Sequence, residues 1–185
     1  FARFVILAEG DSEQIVIPRI AEAMGISLDP SFVPIVPLGG RYCTHFWNLL
    51  SDLNIPYATL LDFDFGRVHG GAKIIRIVVK NLTEIGIDMK DNAKAVAGDI
   101  DPDKVNNLCD DDLWVGDEDD YWVQALEDEG IFFSDPLDLD FAMLMAFPNA
   151  YKVRDSNGRV PPKNEKYINK AKRQTLKSRG DATLY

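Results

Sequence analysis

Apolar positions along the first sixty residues alternate between a strand period and a helix period. Phe4-Val5-Ile6-Leu7-Ala8 is a continuous apolar run closed by Glu9-Gly10, the pattern of a strand buried on both faces. Ile15, Ile17, Ile20, Ala21 and Met24 then recur at helical spacing, with Asp11-Ser12 offering an N-cap and Gly25 a stop. Phe32 to Val36 predicts a second strand, and Pro34 places it at a sheet edge. After a Gly39-Gly40 loop, residues 43–53 predict a second helix with Phe46, Leu49, Leu50 and Leu53 facing inward. Tyr57 to Leu61 predicts a third strand that runs into Asp62-Phe63-Asp64. Strands alternating with helices imply right-handed βαβ units and a parallel sheet.

The second half is less regular. Ile74 to Ile87 predicts a helix, with a short amphipathic stretch beyond it. Residues 98–120 are acidic and lack periodicity, as expected of an irregular insertion spanning about 88–120. Tyr121 to Glu129 predicts a helix ending at Gly130, and Ile131 to Phe133 a fourth strand closed by Ser134-Asp135-Pro136. Leu137 to Phe147 predicts a helix carrying Asp138 and Asp140 at its start. Past Pro148 the chain turns basic and polar, breaks at Pro161-Pro162, and can form a basic helix from Lys163 to Lys177. The expected organisation is an α/β domain over 1–150 and a basic segment over 151–185. The domain would hold an open, mainly parallel sheet of about four strands flanked by helices.

Composition narrows the class. The chain has 185 residues, 46% apolar and 27% charged, which suits one globular domain and excludes wholesale disorder. Its longest apolar runs are far too short to cross a membrane, and no secretory signal pattern precedes them. Two cysteines, Cys43 and Cys109, fit a reducing cytoplasm better than a disulfide scaffold. The chain opens on Phe1 and runs directly into a strand pattern, so the expectation is a domain of a longer polypeptide.

Charge changes the picture more. The net charge of −10 argues on its face against a nucleic-acid binder. Its distribution argues otherwise. Residues 99–140 hold sixteen acidic side chains and one basic one, Lys104, whereas residues 151–179 hold ten basic ones against Asp155 and Glu165. Such runs can be solvated faces, or an acidic, metal-collecting core beside a basic arm for a phosphate backbone.

Functional groups of open parallel sheets gather beyond the carboxyl ends of the strands. Glu9 follows the first predicted strand, Asp62 and Asp64 the third, and Asp135, Asp138 and Asp140 the fourth. Clustered carboxylates repel one another unless a cation neutralises them, and hard divalent ions take oxygen ligands. Asp62 and Asp64, two apart, would share one face of a strict strand. Plain structural readings stand beside this one. Asp11-Ser12 and Asp138 can be helix caps, and a lone Asp-x-Asp occurs in many exposed loops. The ordered conjunction on alternating strands is the stronger signal.

Glu9-Gly10-Asp11-Ser12-Glu13 after a buried strand, with Asp62-Phe63-Asp64 after a later one, resembles a Toprim domain, the metal-binding module of topoisomerases, bacterial primases and several nucleases. Val5 to Arg19, Val36-Pro37-Leu38-Gly39-Gly40, His45-Phe46-Trp47 and Ile55 to Asp64 resemble, more narrowly, the OLD (overcoming lysogenization defect) family of ATP-dependent endonucleases. The resemblance is dense over residues 3–67 and returns over 131–147.

The resemblance implies a Toprim fold and a nuclease half whose ATPase half lies upstream in the same polypeptide and could carry a homodimer contact. No Gly-x-x-x-x-Gly-Lys-Ser/Thr loop occurs here, so ATP would bind outside this chain. It also implies two Mg²⁺ or Mn²⁺ ions and DNA as the partner. Glu9 would be a metal ligand or general base, Glu13 a ligand of the second metal, and Asp62 and Asp64 the paired ligands. Asp138 and Asp140 match a further acidic pair, with Asp140 one carbon shorter than the Glu often found there. The family's Lys near the end of the domain has no assigned position in this chain.

Arg67, in the Gly66 to Gly71 loop beside the proposed metals, and Lys170, Lys172 and Arg173 in the basic segment are the candidate phosphate contacts. Cys43, His45, His69 and Cys109 lack zinc-site spacing. Trp47, Trp114 and Trp122 read as packing residues rather than base-stacking platforms. The expected activity is therefore metal-dependent hydrolysis of DNA phosphodiesters. Its rivals are another Toprim activity, topoisomerase- or primase-like, and a non-catalytic DNA-binding or regulatory domain. A receiver-type phosphorylation domain shares the acidic cluster, but Glu9-Gly10 and the doubled Asp suit it poorly.

Overall fold

The computed structural model describes residues 2–113 and 120–146. Its core is a four-stranded sheet in the order β2-β1-β3-β4, with every neighbouring pair parallel. The strands are β1 (Val5–Ala8), β2 (Ile35–Pro37), β3 (Tyr57–Asp62) and β4 (Ile131–Ser134). β2 lies at an edge, where a proline costs no ladder bond, as Pro34 leads one to expect. β1 and β3 pair centrally from Val5 opposite Tyr57 to Ala8 opposite Leu60, so Glu9 and Asp62 leave adjacent strand ends on the same side of the sheet.

The helices are α1 (Asp11–Ala23), α2 (Thr44–Asp52), α3 (Ala72–Glu84), α4 (Ala93–Ala97), α5 (Tyr121–Asp128) and α6 (Leu139–Ala146). α3 is amphipathic, with Ile74, Ile75, Val78, Val79 and Leu82 buried on one stripe. These side chains meet Leu7, Leu61, Phe63 and Leu126 in one continuous core.

Several expectations need correction. Gly10, not Asp11, is the N-cap of α1, and Asp11 is the first helical residue. β2 begins at Ile35 rather than Phe32, whose φ of 56° and exposed ring put it in the preceding loop. In α2 the inward residues are Trp47 and Leu50, whereas Leu49 and Leu53 are more than half exposed. The reason is the indole. Trp47 is fully buried and its Nε1 donates to Thr59 Oγ1 on β3 at 2.9 Å, which fixes the rotation of α2 on the sheet.

The acidic stretch is irregular, as expected, but it is packed onto the domain. Two 3₁₀ segments, Pro102–Asn107 and Asp110–Asp112, and the residues flanking them bring Ile100, Val105, Leu108 and Leu113 into the same core as α3. Arg76 of α3 donates to the Leu108 carbonyl, and Asp110 Oδ1 accepts from the first amide of α3, Ala72, at 2.8 Å. The predicted basic helix and Trp114 lie outside the described residues. Among the described residues no helix is long and apolar enough to cross a membrane.

Candidate metal centre

The site forms where β1, β3 and β4 end. Glu9 Oε2 accepts from the Asp62 amide at 2.9 Å, so the first carboxylate is held against the strand carrying the second. Past Asp62 the chain turns rather than continuing as a strand. Asp64 has φ 50°, the left-handed region that aspartate tolerates better than most residues, so the shared-face argument for Asp62 and Asp64 does not hold. The turn is instead zipped to the β4 exit, with Asp64 N donating to Leu137 O at 2.6 Å and Phe65 N to Pro136 O at 2.9 Å. This brings Asp64 beside Asp138.

The loop then folds back on itself. Arg67 N donates to Asp64 O at 2.9 Å and Gly71 N to Phe63 O at 2.8 Å. Glycine is required at Gly70 and Gly71. A Cβ on Gly70 would run into the Asp64 carbonyl, and Gly71 has φ 55° with the Asp110 carboxylate where its Cβ would stand.

Glu13 is 3% exposed, and its Oε2 accepts from Gly10 N at 3.0 Å and Ser12 Oγ at 3.4 Å. It closes the N-terminus of α1 while contributing charge to the site. Burial and then the charges of Glu9, Glu13, Asp138 and Asp64 push the Asp62 carboxyl up to about 7. Four of the other five expected metal-site carboxylates thus act electrostatically on Asp62. The sixth, Asp140, is exposed in the first turn of α6, and its charge is not among those raising Asp62. Asp138 Oδ1 caps α6 by accepting from Phe141 N at 2.7 Å, so its structural reading and its place at the site coexist.

Two arginines hold the carboxylates together. Arg67 pairs with Asp64 and reaches Asp138 Oδ2 at 3.0 Å, so it acts inside the carboxylate set as well as facing its edge. Arg41, which the sequence did not single out, donates from Nε to Glu9 Oε1 at 3.1 Å and from Nη2 to Asp64 Oδ2 at 2.7 Å. A third donor of the same guanidinium meets the His69 carbonyl. Arg41 reaches the site because Leu38 N donates to Ala8 O at 2.7 Å and Gly40 N to Glu9 O at 3.0 Å, folding the post-β2 loop over the end of β1. A basic residue directly after Gly39-Gly40 was the available signal.

Hard, anionic oxygen donors fit Mg²⁺ or Mn²⁺. Their present arrangement is nevertheless an arginine-bridged one. Among the described residues no three His, Cys, Asp or Glu side chains close into a ready-made metal site. His45 lies in α2, and His69 lies in the loop with Nδ1 2.8 Å from Lys73 Nζ. Cys43 is buried and Cys109 exposed. Lys170, Lys172 and Arg173 lie outside the described residues. A cleft of about 670 Å³ opens beside Glu9, Arg41 and Asp64, with Tyr42, His45 and His69 on its other walls.

Residues 1–64 match the family model for the TOPRIM domain of proteins like the overcoming lysogenization defect protein. The fold is that of an OLD-type Toprim domain. The C-terminal region of the Xanthomonas campestris pv. campestris OLD protein superposes with a TM-score of 0.61 at 21% identity, over 97% of this chain and 81% of that one. The corresponding region of the Burkholderia pseudomallei OLD protein gives 0.62 at 20% identity, over 96% and 81%. No curated protein matches the chain. The family-model match ends at Asp64, so it takes in Glu9, Glu13, Arg41, Asp62 and Asp64 and stops before Arg67 and Asp138. The β4 exit and the 64–71 loop therefore fall under the likeness of fold and outside the sequence match.

Proposed function

We propose that the chain is the metal-dependent nuclease module of an OLD-type protein and hydrolyses DNA phosphodiesters. The observation that carries this reading is the gathering of Glu9, Asp64 and Asp138 with Glu13 around Asp62, whose carboxyl is pushed up to about 7 by burial first and by these charges second. Natural domains rarely gather so many carboxylates beside a cleft unless a cation or a reaction uses them. Divalent ions held there would supply charge neutralisation and water activation for in-line attack at a phosphodiester.

The chain's own residues divide the remaining work. Glu9 is fixed against the Asp62 amide, which leaves its other oxygen facing Arg41 and the cleft and suits it to ligation or to accepting a proton from water. Asp62 and Asp64 supply the paired carboxylates, and Glu13 and Asp138 enlarge the negative charge on either side. Asp140, exposed in the first turn of α6, would complete the further acidic pair with Asp138. Arg67 lies where a phosphate oxygen entering past Asp138 would meet a guanidinium fork. Lys170, Lys172 and Arg173 would add backbone contacts. An ATPase region upstream, a dimer formed through it, and two ions in the site complete the reading taken from the family.

Topoisomerase- or primase-like chemistry finds no added support among the described residues. A DNA-cleavage assay on the complete polypeptide, with Mg²⁺ or Mn²⁺ varied, tests the reading. Asp62→Ala should lower metal-dependent cleavage by at least about a hundredfold. Equal cleavage by the variant and the wild type would refute it.

A further inference from the structure

Arg41 occupies the position a bridging cation would take. Its guanidinium spans Glu9 Oε1 and Asp64 Oδ2 at 3.1 and 2.7 Å, joining the carboxylates that leave β1 and β3. All three side chains are shielded, at 18%, 19% and 16% exposure, so the bridge is not an incidental surface pair. It also accounts for the lack of a closed ligand set among the described acidic side chains: a guanidinium already lies between two of them.

We propose that Arg41 is a built-in counter-ion, which neutralises Glu9 and Asp64 while the site lacks metal and must release them when a divalent ion binds. This rests on reading the cluster as a metal centre. An ion bridging the same two carboxylates would sit within a few ångströms of the guanidinium, and like charges at that distance repel strongly in a partly dehydrated cleft. The fork has somewhere to go. Arg41 lines the 670 Å³ cleft with Tyr42, His45 and His69, and only its hydrogen bond to the His69 carbonyl points away from the carboxylates. Arg67 is placed differently. It joins Asp64 to Asp138 from the more exposed side and leaves Glu9 untouched.

A counter-ion and a scaffold predict opposite signs. If Arg41 competes with metal, removing its charge strengthens metal binding even as it weakens the metal-free protein. If it merely orients the ligands, removing it weakens both. Calorimetric titration of Mn²⁺ alone, without DNA, into the complete chain reads the difference. Arg41→Gln should bind Mn²⁺ about tenfold tighter than wild type, the scale of one partly screened charge, and should melt at a lower temperature without metal. Arg41→Lys keeps the charge but cannot bridge both carboxylates, and should bind about threefold tighter. Should Arg41→Gln not fold, Arg41→Lys decides alone by the same criterion.

Mn²⁺ binding that is unchanged or weaker in these variants overturns the counter-ion. Asp62→Asn separates this failure from failure of the metal-centre reading. If Asp62→Asn abolishes binding while the Arg41 variants leave it unchanged, only the counter-ion falls. If Mn²⁺ does not bind the wild type, or Asp62→Asn leaves binding intact, both fall.

Discussion

Asp62 is the residue on which the site's electrostatics converge. Its carboxyl sits at about 7 in the folded domain, against about 3.9 in an unfolded chain. The folded state therefore binds a proton more readily than the unfolded state between these values. By linkage this group's contribution to stability falls as pH rises from about 4 to 7. The metal-free protein should accordingly melt at a higher temperature at pH 5.5 than at pH 8, and Asp62→Asn should flatten that dependence. Thermal scans across this range check it. Divalent ions favour the ionised carboxylate, so Mn²⁺ binding at pH 6 should release protons, measurable as a buffer-dependent binding enthalpy.

Among core residues, Thr59 is buried and accepts the Trp47 indole N–H. Thr59→Val keeps the shape but leaves that donor unpaired, which should cost about 1–3 kcal/mol in urea denaturation.

At the scale of elements, the acidic insertion earns its place by holding the site loop. Asp110 accepts from the first amide of α3, directly after Gly70-Gly71, and Leu108 accepts from Arg76 one turn further on. Asp110→Ala should destabilise the domain by about 1 kcal/mol, the usual scale of a lost cap. Amide exchange should accelerate in residues 64–73 more than in β1 or β3. The strands were legible because a strand buried on both faces is largely apolar, as Phe4 to Ala8 is throughout and Tyr57 to Leu61 is apart from Thr59. The facing of α2 was not legible. Phe46, Leu49, Leu50 and Leu53 satisfy a helical period, and only the Trp47–Thr59 bond, made across the sheet, decides which side turns inward. The carboxylates were legible from their positions after strands. Arg41 was not, because its role depends on backbone bonds from Leu38 and Gly40 to the end of β1, some thirty residues earlier. The insertion's packing was hidden for a similar reason: Ile100, Val105, Leu108 and Leu113 follow neither a helix nor a strand period, and only their packing with α3 in the folded core reveals their role.

At the scale of the whole molecule, net charge is a poor guide to the partner. The −10 total combines a carboxylate-rich half with a basic segment over 151–179, and bound divalent ions would change the local sign where phosphate must approach. If the basic segment contacts the backbone, replacing Lys170, Lys172 and Arg173 together by Gln should weaken binding to all DNA sequences alike. It should also reduce the slope of log K against log salt by up to about one per residue replaced. An unchanged slope would assign DNA contact to other residues.

Diffraction from Mn²⁺-soaked crystals tests most directly whether the strand-end carboxylates are a divalent-metal centre. Anomalous peaks should appear bounded by the carboxylates of Glu9, Asp62 and Asp64, with the Arg41 guanidinium withdrawn from Glu9 and Asp64. A map with no peak there, and with Arg41 still bridging the two carboxylates, would contradict the metal centre.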